Sequence, residues 1–206
     1  MPPAKRPSTS RWRRELVVLV TIALLALSVR SSLAEVYKVP SGSMEPSVLV
    51  GDRIIVSKSA YGLRLPFTKL RLISSDGPDR GDVVVLDSKE DDNVQLLKRV
   101  VALPGDRVRV REGRVWVNEK SFPIRQGTDA LWETIGDREH QLKLSHGGGP
   151  AFGPIQVPKG SYLVMGDNRG DSRDGRSFGF ISADAIVGQA LGVVFRESRI
   201  AWETLR

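Results

Sequence analysis

Beyond its first fifty residues, the chain carries its apolar positions in short, β-branched groups separated by Gly, Pro or Asp. Ile54–Val56 (IIV), Val83–Leu86 (VVVL), Arg107–Val110 (RVRV), Arg114–Val117 (RVWV) and Tyr162–Met165 (YLVM) each have the length and composition of a strand. Val115 to Asn118 followed by Glu-Lys predicts a hairpin. Only Ser182 to Gly188 reads as helical, with a serine to cap it and a glycine to stop it. Arg125 to Pro158 breaks the rhythm. It holds SHGGGP (Ser145–Pro150) and little periodicity, which predicts an inserted loop region, and no internal repeat is found. The pattern predicts a mainly β fold of short antiparallel strands, with a variable insertion at about 125–158.

The N-terminus follows a different rule. Leu16 to Val29 (LVVLVTIALLALSV) contains no charge. As a helix it rises about 21 Å, short of the ~30 Å hydrocarbon core. Arg14 and Arg30 can snorkel, and Leu33, Ala34, Val36 and Tyr37 can carry the helix into the interface. The basic flank predicts a cytoplasmic N-terminus, with everything after Val29 across the membrane. Three units result: a basic cytoplasmic tail (1–15), Pro- and Ser-rich and disordered over Met1 to Ser10; a transmembrane anchor (16–37); and an extracytoplasmic β domain (38–206). A cleavable signal peptide fits too, through the triplet Ser32-Leu33-Ala34, although Arg30 is awkward there. Both readings export the rest of the chain, and the anchor reading gives a single-pass protein of the cell membrane.

Composition narrows the chemistry. The 206 residues suit one medium domain with an appendage. The chain has no cysteine, so disulfides, zinc–thiolate sites and a cysteine nucleophile are excluded. Its net charge is +7, of which Lys5, Arg6, Arg11, Arg13 and Arg14 against Glu15 hold +4. An excess gathered at one end, without interleaved aromatics, gives no nucleic-acid platform.

Pro40 to Asp52 (PSGSMEPSVLVGD) offers two serines around a glycine, but a serine hydroxyl attacks only when a base removes its proton. The two histidines, His140 and His146, both fall in the glycine-rich insertion, a poor support for a base. Gly175-Arg-Ser177-Phe-Gly179 matches the G-x-S-x-G elbow, but a charged loop precedes it and no histidine follows position 146. None of the nine lysines lies three residues after a serine, so an S-x-x-K pair is absent. A lysine base remains. It must lose ~2–3 pK units, about 3–4 kcal/mol, to act near neutrality, and apolar burial can supply that. Lys98 alone has such surroundings, in VQLLKRVVALPGD (Val94–Asp106). The same context also suits a lysine snorkelling from a strand edge, and Ser41 and Ser43 equally suit plain turn serines. The acids Asp167, Asp171 and Asp174 lack EF-hand spacing and are interleaved with arginines, so no metal is expected.

PSGSMEP (Pro40–Pro46), GDRIIV (Gly51–Val56), RGDVVVL (Arg80–Leu86), LKRVVALPGD (Leu97–Asp106) and MGDNRGDSRDGRSFGF (Met165–Phe180) stand in one order behind the apolar stretch. Together they resemble the bacterial type I signal peptidases, membrane-anchored serine endopeptidases with a Ser/Lys dyad. The resemblance runs to about Gly188. It implies a signal-peptidase-like fold, removal of signal peptides from exported preproteins, and no cofactor. It implies Ser43 as nucleophile and Lys98 as base. Ser41 and the Ser43 N–H would form the oxyanion hole, and Ser172 would orient the lysine amine. Asp167, Asn168, Arg169, Asp174 and Arg176 would support the loop behind it. Small residues, typically alanine, would occupy the first and third positions before the cut, held by pockets from Val39, Pro40, Met44, Val48, Leu96 and Leu97. The partners implied are signal peptides and the lipid bilayer. Gly170-Asp171 and Gly175 depart from the commoner form of the last block, where Asp-Asn and Ser are frequent. Two other readings of the chain are a non-catalytic, membrane-tethered β domain that docks partners through Leu63 to Ile73, and a Ser/Lys self-cleaving repressor, which would need a DNA-binding domain.

Overall fold

The structure is a computed structural model, and it describes residues 12–22, 34–62, 77–91, 94–197 and 199–205. The main sheet has eight strands. Its order is β1 (Ala34–Lys38), β2 (Arg53–Ser57), β14 (Ile186–Arg196), β3 (Val83–Asp87), β4 (Gln95–Ala102), β12 (Ser161–Met165) and β13 (Ile181–Ser182), with β15 (Arg199–Thr204) also paired to β14. A four-stranded sheet runs β11 (Phe152–Gln156), β5 (Arg107–Arg111), β6 (Arg114–Val117), β7 (Lys120–Ser121). A three-stranded sheet runs β10 (Arg138–Leu142), β9 (Leu131–Ile135), β8 (Ile124–Gln126). The five segments predicted as strands are β2, β3, β5, β6 and β12, and the β6–β7 hairpin turns through Asn118 and Glu119, both at positive φ.

Sequence pattern explains which faces are covered. VVVL reads as an unbroken run because β3 is buried on both faces. Val83 and Val85 join Ile54, Val56 and Val193 on one face, while Val84 and Leu86 join Val100, Val164 and Ile186 on the other. In β5 and β6 the period is two: Val108, Val110, Val115 and Val117 enter a third cluster, and the arginines between them face outward.

Four expectations need correction. Residues 125–158 are not a loop. They supply β9, β10 and β11 and most of β8, and the Arg138 guanidinium donates to Asp82 at the head of β3, tying this unit to the main sheet. Its strands were hidden because polar residues, Glu133 in β9 and His140 in β10, hold inward places, and because β11 is interrupted by Gly153-Pro154. Residues 182–188 form no helix either; a 3₁₀ turn at Ala183–Ala185 leads straight into β14, the longest strand. Gly188 is a close-approach residue rather than a helix stop. A Cβ there would lie 2.4 Å from the Ser57 carbonyl oxygen, and the β14–β3 register shifts between Ile186 and Gly188. The anchor does not extend to Tyr37, because Ala34–Lys38 is β1, paired along its whole length with β2. Finally, residues 12–22 form a helix (α1), but among the described residues no helix is long and apolar enough to cross a membrane. The remainder of the predicted anchor up to residue 33, and the Leu63–Ile73 stretch, lie outside the described residues.

Leu86 is wholly buried at the centre of the main sheet. Leu86→Ala should lower the unfolding free energy by about 2–5 kcal/mol in urea denaturation, and a loss below ~1 kcal/mol would contradict this packing.

Candidate active site

Ser43 lies in a 3₁₀ turn, Gly42–Met44, between β1 and β2. Met44 is buried and seats the turn in the core beside Val39 and Val48. From the other side, the Asn168 N–H donates to the Ser43 carbonyl at 3.1 Å and its side-chain amide to the Gly42 carbonyl at 3.2 Å. The turn is therefore clamped between the core and the segment after β12.

Lys98 sits mid-strand in β4, paired with Val84, and is only 3% exposed. Its Nζ donates to Ser43 Oγ at 2.7 Å and to the Leu97 carbonyl at 3.0 Å. Burial pushes the amine down to about 8, against the opposing pull of the Asp174 and Asp167 carboxylates. The strand thus brings to Ser43 an amine that loses its proton far more readily than an ordinary lysine.

The next residue holds the strand in place. Arg99 is 2% exposed and grips Asp167 with two bonds, Nε at 2.9 Å and Nη2 at 2.7 Å, while Nη1 donates to the Gly81 carbonyl. Burial would raise the Asp167 carboxyl, but Arg99 and His140 outweigh it and hold the group at about 2. Asp174 accepts from the Gly166 N–H at 3.0 Å and from Arg176, whose other donors reach the carbonyls of Gly148 and Arg169. Arg169 in turn donates to Glu133, Gly113 O and Gly166 O. Asp167 and Asp174 are thus each held by a different arginine. Gly170 is required here, because a Cβ would lie 1.6 Å from the Ser145 carbonyl oxygen. The departure at that position follows from the 145–149 turn pressing against it.

Ser41 is exposed and precedes the 3₁₀ turn in extended backbone, without capping it. The Ser172 hydroxyl is buried and has no hydrogen-bond partner among the described residues; the Lys98 amine turns to Leu97 O instead. It lies close to the site nonetheless, since a Cβ on Gly166 would meet both Ser172 Oγ and the Ser43 carbonyl at 2.3 Å. Of the six residues expected to line pockets, Val39, Met44, Val48 and Leu97 pack in one cluster. Leu96 packs on the opposite face of β4, with Leu86 and Val100, and Pro40 is exposed.

Three contributors were not anticipated: Arg99, Glu133 and His140. His140 is buried, with Nε2 3.4 Å from Glu133 and 3.6 Å from Asp167, and burial and Arg99 push its pKa down. Burial would raise the Glu133 carboxyl, yet Arg169 and His140 bring it below the ordinary range. A signal existed for both. In Leu131-x-Glu133-x-Ile135 and Arg138-x-His140-x-Leu142 a polar residue holds the inward place of a period-two pattern.

Comparison with known proteins identifies the family. The family described as "Signal peptidase, peptidase S26" matches residues 12–195. A signal peptidase I of Pseudomonas fluorescens is 37% identical over 194 residues, covering 84% of this chain and 68% of its own. A signal peptidase I of Bacillus licheniformis is 33% identical over 194 residues, covering 93% and 91%. A crystal structure of a signal peptidase I of Enterococcus faecalis V583 is 25% identical and covers 56% of this chain and 98% of its own. Its TM-score of 0.38 is too low to carry weight.

Two stability measurements probe this frame. Glu133→Ala strands the buried Arg169 guanidinium and should cost about 3–5 kcal/mol in denaturant unfolding. Lys98→Met should do the reverse. With a folded pKa of about 8 against 10.5 unfolded, the unfolded state binds the extra proton between those values. Wild-type stability therefore rises with pH across that window, and at pH 7 Lys98→Met should gain up to about 3 kcal/mol. A destabilised Lys98→Met would contradict the strained burial of the amine.

Proposed function

The chain belongs to the signal peptidase family, peptidase S26, and on that premise we propose that Ser43 and Lys98 are the dyad by which it removes signal peptides. It is a serine hydrolase of that family, which sets aside the non-catalytic and self-cleaving repressor readings. The observation that carries the dyad is the 2.7 Å contact between a buried lysine amine and a serine hydroxyl.

The chemistry follows from that contact. When Lys98 is neutral, the hydrogen bond reverses: the Ser43 hydroxyl donates and the Nζ lone pair accepts. As Ser43 Oγ attacks the carbonyl of the last signal-peptide residue, its proton passes to Lys98. The tetrahedral oxyanion is held by the Ser43 N–H and the Ser41 hydroxyl, whose exposure leaves it free to turn to substrate. Collapse breaks the C–N bond, and the Lys98 ammonium returns the proton to the leaving amine. The ester on Ser43 is then hydrolysed by water that gives its proton to Lys98, which returns it to Ser43 Oγ as the acyl C–O bond breaks and the signal peptide leaves as a carboxylate. Ser172 is the orienting group for the amine, since its buried hydroxyl has no competing partner and lies beside Gly166 and Ser43. Asp167, Asn168, Arg169, Asp174 and Arg176 hold the loop behind the dyad.

The substrate lies extended beside the 3₁₀ turn, where Leu97, the partly exposed residue packed on the buried Val39, Met44 and Val48, gives apolar ground for a small side chain. The apolar stretch from Leu16 tethers the domain at the bilayer as a single pass with a cytoplasmic N-terminus, so that the site meets cleavage points as they emerge.

Ser43→Ala and Lys98→Arg should each abolish cleavage of a preprotein in detergent while the domain stays folded. Arginine keeps its proton and cannot act as base, so near-normal rates in Lys98→Arg would end the proposal. Ser41→Ala should lower kcat by about 10²–10³. In wild type, kcat/KM should climb about tenfold per pH unit and level off above about 8, the Lys98 value. A flat profile from pH 6 to 9 with chemistry rate-limiting would contradict the lysine base.

A further inference from the structure

The outward face of the β5–β6 hairpin carries more positive charge than the fold requires. Arg107, Arg109 and Arg111 alternate with buried valines on β5, and Arg114 and Trp116 stand opposite on β6. Arg109 stacks on the Trp116 ring at 4.8 Å. Arg107 reaches Glu119 at 3.8 Å, but among the described residues Arg109, Arg111 and Arg114 pair with no carboxylate. Arg109, Arg111 and Trp116 face a cleft of about 550 Å³ whose opposite wall is Gly147, Gly149 and Ala151. Glu112, in the hairpin turn, lies among these arginines and lines the same cleft. Neither the core nor the dyad uses it.

That glycine wall ties the cleft to the site. Asn168, which clamps Ser43, accepts from Ser145 Oγ at 3.0 Å, and Ser145 opens the 3₁₀ turn Ser145–Gly148. Arg176 holds the same turn through the Gly148 carbonyl at 2.6 Å. Two contacts therefore lead from Ser43 to the turn that lines the cleft. At ~3.3 Å per extended residue, three to six residues of a bound chain span the roughly 10–20 Å involved.

We propose that this arginine cleft is a subsite for carboxylate side chains of the substrate, on the mature chain about three to six residues after the cut. The inference rests on the peptidase reading above. An acidic peptide fits better than other anions. The cleft is concave and small, suited to one or two side chains rather than to a headgroup lattice, and guanidinium groups beside an aromatic ring match planar carboxylates. Its glycine turn is also joined to the Ser43 turn through Ser145 and Asn168.

The test uses the full chain and three substrates with one signal sequence, differing only at the fourth and fifth residues after the cut: Asp-Asp, Asn-Asn or Lys-Lys. Wild type should show a kcat/KM about 3–10-fold higher for Asp-Asp than for Asn-Asn at low salt, with the ratio approaching one at high salt. In Arg109→Gln/Arg111→Gln the ratio should fall to about one, and Arg111→Glu, altered only at an exposed position, should prefer Lys-Lys. Equal ratios in wild type and both variants would overturn the subsite. Arginine-dependent binding to phosphatidylglycerol vesicles without any peptide preference would overturn it in favour of a lipid surface. If no enzyme cuts any substrate, the peptidase reading fails separately. Fluorescence anisotropy of the Asp-Asp peptide then decides the cleft: weaker binding by the arginine variants supports it, and equal binding refutes it.

Discussion

An ammonium group shut away from water is unstable, and this fold is arranged to keep one there. Lys98 is nearly inaccessible, its amine faces Ser43, and its nearest carboxylates are already engaged by arginines. Had Asp167 or Asp174 been free to pair with Lys98, the amine would stay charged and would be useless as a base. Arg99 and Arg176 therefore matter for what they withhold as well as for what they hold. The same pairings give each buried carboxylate a guanidinium partner, so that neither depends on the lysine ammonium for one.

Rigidity is the second requirement, because a base and a nucleophile from distant parts of the chain must meet within hydrogen-bond reach. Residues 43 and 98 are brought together by three supports. Met44 and Val48 root the turn in one core cluster, the β3–β4–β12 ladder fixes the strand, and Asn168 joins the two. The unit from Ile124 to Gln156 backs this up through Glu133–Arg169 and Asp82–Arg138. A segment that the residue pattern makes look dispensable therefore buttresses the candidate site, and its glycine turn joins that site to the arginine cleft.

The sequence was most legible where one physical rule acted alone. β2, β3, β5, β6 and β12 are short β-branched runs, and tertiary packing agrees with their local preference. Lys98 stood out because its neighbours are apolar, but its distance from Ser43, fifty-five positions away in the chain, was not readable from spacing. The family motif supplied that link. Legibility failed where partners from afar changed the meaning of a residue. Gly188 looked like a helix stop but is a site of backbone approach, and Glu133 acquires its role only through Arg169, thirty-six positions away in the chain. The 34–37 segment looked apolar enough to continue a membrane helix, but the free edge of β2 claims it. For Ser172 the motif gave a partner that the geometry does not display, since its hydroxyl is buried and unpaired.

The dyad depends on the protonation state of a single nitrogen, and that state can be observed directly. The full chain, labelled with ¹⁵N at its lysine side chains, can be titrated by NMR, with Lys98→Arg assigning the resonance by its loss. Lys98 should titrate with a midpoint of about 8, while the exposed lysines stay near 10.4. A Lys98 midpoint indistinguishable from theirs would mean that the amine is not held out of water, and the lysine could not serve Ser43 as a base.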